Sequence, residues 1–94
     1  MSIDYSMKVS VPSNVLVRVF ENESVILNLN TESYHGLDDV GTRMWKALAQ
    51  SASIKEAFDA LLSQYEVDPA QLRKDLDDFL EKLLQRGMVE LVAA

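Results

Sequence analysis

Few side chains in this sequence are suited to chemistry. His35 is the only histidine, and it stands in the run Ser33-Tyr34-His35-Gly36-Leu37. A histidine beside a second histidine, a cysteine or a serine can hold a metal or act as a base. No second histidine and no cysteine is present, so a metal cluster or thiolate site cannot be assembled on it. A lone histidine in such a run more commonly packs or hydrogen-bonds. The other dense set is Asp75, Asp77, Asp78 and Glu81, interleaved with Arg73, Lys74 and Lys82. Paired carboxylates can do acid and base work, but mixed charges three and four apart equally describe a solvated helix face. Gly36, Gly41 and Gly87 are too scattered to cradle a phosphate. The expectation is therefore no enzyme, no catalytic residue, no cofactor and no metal.

Composition narrows the field further. The 94 residues suffice for one domain, expected over 1–94. A hydrophobic content of 48% suits an ordinary globular chain, and the absence of cysteine fits a reducing, cytoplasmic setting. No stretch approaches the ~20 apolar residues that span a bilayer, and no signal pattern opens the chain, so no membrane is expected as a partner. Nine Lys and Arg against fifteen Asp and Glu leave a net charge of −6. Nucleic-acid affinity comes largely from cations displacing counterions from phosphates, so nucleic acid is excluded as the expected partner. The same field welcomes a basic peptide or protein.

The elements that must position these residues follow from periodicity. Residues 1–13, with Pro12, carry no firm period and read as a loosely ordered lead-in. Residues 15–20 alternate, with Val15, Val17 and Val19 on one face. A polar turn leads to a second strand over 24–30, with Val25, Leu27 and Leu29 on one face against Asn28 and Asn30. The short run 33–37 then forms a third strand at the edge of a meander. Asp38 or Asp39 caps a first helix reaching about Ala49, and Ser53-Ile54-Lys55-Glu56 is a capping box for a second. Asp68-Pro69 opens a third helix over 69–86, which Gly87 ends. Residues 88–92 read either as a short strand or as an apolar tail. Trp45 reads as core.

The fold class is α+β: a three-stranded antiparallel sheet followed by three helices, in a winged helix-turn-helix-like layout. That layout does not itself imply DNA. A recognition helix presents Arg, Lys, Asn or Gln to base edges, whereas residues 69–86 hold four basic and four acidic groups. A DNA-binding regulator stays open only as an alternative, as does a scaffold that dimerises through its edge strand.

The stretch VILNLNTESYHGLDDVGTRMWKAL, residues 25–48, resembles the PqqD-like family, recognition elements for ribosomally synthesised, post-translationally modified peptides. Tyr34, Gly36, Leu37, Val40, Gly41, Arg43, Met44 and Trp45 carry the resemblance. The capped second helix and the long third helix after Asp-Pro extend it over most of the chain. It departs at His35, where a second aromatic is common, at Glu32, where glycine is frequent, and at Asp38, where asparagine is frequent. It looks closer to stand-alone proteins that accompany lasso-peptide proteases than to the quinone-cofactor member.

The resemblance implies a partner, the leader of a precursor peptide, docked as an antiparallel strand on the third strand and beside the third helix. It further implies a processing or modifying enzyme to which the core is presented: a leader protease, or alternatively a radical SAM enzyme. The residues expected to bind peptide are Ser33, Tyr34, His35, Gly36 and Leu37 on the strand. On the helix they are Leu72, Asp75, Leu76, Asp78, Phe79, Leu80 and Leu83. Leu76, Phe79 and Leu80 are expected to floor an apolar groove beside Tyr34, and Asp75 and Asp78 to rim it. Strand addition suits a short edge strand, because its main-chain groups are free.

Overall fold

The computed structural model describes residues 3–94. Five strands and three helices follow in the order β1 (Met7–Ser10), β2 (Val15–Val19), β3 (Ser24–Asn28), β4 (Ser33–Leu37), α1 (Asp39–Gln50), α2 (Ile54–Gln64), α3 (Pro69–Gln85) and β5 (Glu90–Ala93). β2, β3 and β4 form the antiparallel sheet in that order, which leaves β4 on an edge.

The loose lead-in is corrected over its described part, its first two positions lying outside the described residues. Met7–Ser10 pairs antiparallel with Glu90–Ala93, joining both ends of the chain in a second, two-stranded sheet. Tyr5 pins this segment down. Its ring meets Phe58 edge-on at 5.9 Å, Arg73 lies over it at 4.3 Å, and its hydroxyl donates to Asp77 at 2.8 Å. Burial first, and then the bond to Asp77, push the phenol pKa above its ordinary value.

β3 alternates as expected, and its inner face is the one that carries Ile26 and Asn28. Ser24, Ile26 and Asn28 are buried, while Val25 and Leu27 are half-buried and Leu29 is exposed. Inward polar groups are tolerable because they are bonded. Ser24 and Thr42 share a 2.8 Å hydrogen bond between their hydroxyls. Asn28 Oδ1 accepts from Asn14 Nδ2 at 3.1 Å and from the Asn30 and Thr31 amides at 3.0 and 3.3 Å. Fully buried Ile26 anchors this face over Trp45, Leu83, Met88 and Val89. At the next turn Glu32 adopts φ 57, a left-handed conformation that glycine accepts at less cost.

The helices follow their caps. Asp38 accepts from the Gly41 amide at 2.8 Å. Ser53 accepts from the Glu56 amide at 3.2 Å, and Glu56 reaches back to the Ala52 amide at 2.8 Å, one residue before the position a capping box uses. Asp68 precedes α3 but makes no side-chain cap bond, leaving Pro69 to start the helix. Gly87, at φ 68, turns the chain out of α3. A second core cluster joins Met44, Leu48, Ile54, Ala57, Leu61, Leu72, Leu76 and Leu80. Among the described residues no helix is long and apolar enough to cross a membrane.

Candidate functional site

The ladder phase decides which backbone groups of β4 are free. The Phe20 amide bonds to the Glu23 carbonyl at 2.8 Å, and the Leu29 amide to the Asn14 carbonyl at 2.8 Å. With the continuous register of β2 and β3, this aims Val25 and Leu27 at β2. Antiparallel strands alternate, so Ser24, Ile26 and Asn28 bond to Leu37, His35 and Ser33. Tyr34 and Gly36 are therefore the residues of β4 whose N–H and C=O point to the open edge.

The same alternation divides the side chains. Ser33, His35 and Leu37 lie on the helix side, in rows with Asn28, Ile26 and Ser24. Tyr34, 70% exposed, shares the outer face with Leu27 and Leu16. The expected groove beside the Tyr34 ring is thus corrected: the ring stands on the face turned away from α3. Gly36 also lies on the outer face, where an added Cβ would meet nothing within 4 Å.

On the helix side a groove of about 400 Å³ runs between β4, α3 and the start of α1. Six of the residues expected to bind peptide, His35, Gly36, Leu37, Asp75, Asp78 and Phe79, line it. Lys82, Asp38, Val40, Gly41 and Met44 line it too, and sequence reasoning had not assigned them to the site. Lys82 was findable, seven residues from Asp75 and hence two turns along the same face. Val40, one of the residues that carry the resemblance, is 61% exposed.

Leu76, Leu80 and Leu83 are not brought to this groove. All three are fully buried, and they hold α3 to the core rather than facing a ligand. Leu72 lines a second, apolar hollow of about 210 Å³ with Val40, Met44, Leu61, Tyr65 and Val67. The two hollows share Val40, Met44 and Asp75, so the second continues the first beyond the end of β4. A third hollow of about 430 Å³, lined largely by polar side chains such as Glu21, Lys46 and Gln64, includes no β4 residue.

His35 lies in the groove with a displaced pKa. Burial first, then the charges of Arg86 and Lys82, hold its imidazole below the ordinary value of 6.5. Its neutral form is thereby favoured, able to accept or donate one hydrogen bond. Among the described residues no group of His, Asp and Glu is arranged to hold a metal ion. The arrangement provides a strand edge with unpaired main-chain groups, a half-buried aromatic floor at Phe79 and charged walls.

Three comparisons bear on the chain. The family model described as coenzyme PQQ synthesis protein D (PqqD) matches residues 23–89. The solved structure of TbiB1 in complex with the TbiA(beta) leader peptide is 35% identical, with a TM-score of 0.78, over 85% of this chain and 93% of that one. A lasso peptide synthetase B1 complexed with the leader peptide is 20% identical, with a TM-score of 0.77, over 88% and 98% of the two chains, and shares the fold. No curated protein matches the sequence.

Proposed function

The chain belongs to the PqqD family, and from that premise we propose that it is a leader-binding recognition element of lasso-peptide biosynthesis. It captures the leader of a ribosomal precursor as an added antiparallel strand on β4. It performs no chemistry itself and presents the core peptide to a processing enzyme, a leader protease or cyclase. The observation that carries this reading is the open edge of β4, with the free main-chain groups of Tyr34 and Gly36 beside a groove floored by Phe79. The similarity to TbiB1, solved with a leader peptide at 35% identity, supports it.

The physical logic is that of strand addition. Main-chain pairing supplies affinity with little demand on sequence, and alternate side chains supply specificity. Peptide residues opposite Ser33, His35 and Leu37 point into the groove, onto Phe79 and the start of α1. The apolar hollow of Leu61, Val67 and Leu72 lies where a peptide antiparallel to β4 has not yet begun to pair. It is smaller than the ~300 Å³ of small-molecule sites and suits a single apolar side chain from that earlier part of the leader.

The test is a calorimetric titration with the N-terminal leader segment of a lasso-peptide precursor. Binding at about micromolar Kd or tighter is expected. Phe79→Ala, at a half-buried position, should weaken it about tenfold while near-ultraviolet circular dichroism stays native. Unchanged affinity in that variant would remove the groove from the site.

A further inference from the structure

The groove beside β4 is charged in a definite order along its length. The α3 residues that reach it are Asp75, the adjacent Asp78 and Phe79, and Lys82, so that successive turns of the helix each contribute and form one stripe. Arg86 continues the stripe by one turn. Seven residues separate Asp75 from Lys82, about 10 Å along the helix axis.

Two contacts fix how this stripe runs relative to β4. Asn28, paired with Ser33 at the start of β4, donates from Nδ2 to the Gly87 carbonyl at 3.4 Å, just past the end of α3. Asp75 lies instead with Val40 and Met44, beyond the end of β4. The cations thus stand beside the beginning of β4 and the carboxylates beside its end, where Asp38 adds a third. His35, midway along, senses both Lys82 and Arg86. Among the described residues neither cation is engaged in an ion pair.

We propose that this ordered charge selects the polarity of the bound peptide, favouring a segment with Lys or Arg before its paired stretch and Asp or Glu after it. The inference rests on antiparallel docking at β4. A strand of that direction runs from the Leu37 end to the Ser33 end. Its earlier residues pass Asp38, Asp75 and Asp78, and its later ones pass Lys82 and Arg86. A segment with the opposite order meets like charge at both ends. The overall charge of −6 would favour any basic peptide; the order of charges instead sets direction and register, as electrostatic complementarity does at interfaces.

The test uses two synthetic peptides of identical composition sharing one Val- and Thr-rich central stretch. One carries two Lys before it and two Glu after it, and the other has these exchanged. In fluorescence anisotropy at low salt, the Lys-first peptide should bind about tenfold tighter, a scale set by several exposed pairs acting together. The preference should shrink to about twofold near 1 M salt, where the Debye length falls to about 3 Å. Combining Asp75→Lys, Asp78→Lys, Lys82→Glu and Arg86→Glu, all at exposed positions, should invert it. Equal binding, or a Glu-first preference, in the native protein overturns the inference and leaves docking at β4 standing. Backbone pairing makes little demand on sequence, so binding of neither peptide up to about millimolar concentration counts against β4 docking and this inference together.

Discussion

Replacing Gly36 by proline isolates the open edge of β4 from the sheet that supports it. The Gly36 N–H points away from β3, so losing it breaks no ladder bond, and edge strands tolerate proline in that orientation. His35 is already in the strand conformation that a residue before proline requires. The outer face at Gly36 is open, with nothing within 4 Å of an added Cβ, so Gly36→Ala serves as a side-chain control and should bind like the native protein. Proline strands one peptide carbonyl without its donor, at a cost of about 1–3 kcal/mol. That is a loss of roughly 5- to 150-fold in leader affinity. Anisotropy with labelled leader measures it, and urea unfolding checks that stability changes by no more than about 1 kcal/mol. His35→Pro is the contrasting variant. It removes a ladder bond to fully buried Ile26 and should unfold more easily. A folded Gly36→Pro protein with leader affinity within about twofold of native would refute the assignment of the edge.

Three further outcomes follow from particular residues. Leu76→Glu places a carboxylate at a position with no exposure, so loss of the folded state is expected by circular dichroism, not a selective loss of binding. Glu32→Gly relieves a side chain held at φ 57 and should raise the urea unfolding free energy by up to about 1 kcal/mol. The lowered imidazole pKa of His35 means that below 6.5 the unfolded chain takes up a proton that the folded chain resists. This contribution to stability is fully present above 6.5 and is lost as pH falls through the lowered folded value. Denaturant midpoints between about pH 7.5 and 5 should therefore drop less in His35→Gln than in the native chain.

The sequence made the strand and helix order legible because its signals are local. Ser53 with Glu56, Pro69 and Gly87 each act within a turn, and the structure uses all three. The pairing of Met7–Ser10 with Glu90–Ala93 was not legible, since it joins the two ends of the chain and neither strand shows alternation of its own. The buried face of β3 was not legible for a different reason. Alternation separates two faces but does not say which is inward, and Val25 and Leu27 looked the more apolar pair. Ile26 and the bonded Ser24 and Asn28 took the inner face instead. In α3, the five apolar residues expected to bind peptide are not equivalent. Leu76, Leu80 and Leu83 point straight inward, while Phe79 on the flank stays half-buried in the groove. The contribution of Val40 and Met44 depended on where α1 begins relative to α3, which only tertiary packing sets.

Backbone amide hydrogen exchange with and without the precursor's leader tests docking at β4 most directly. The amides of Tyr34 and Gly36 face the open edge, whereas that of His35 is already bonded to β3. Leader should therefore slow exchange at Tyr34 and Gly36 sharply while leaving Val17 and Val19, on the far edge of the sheet, unchanged. Protection gained at Val17 and Val19 instead, or leader bound with Tyr34 and Gly36 still exchanging freely, would contradict strand addition to β4.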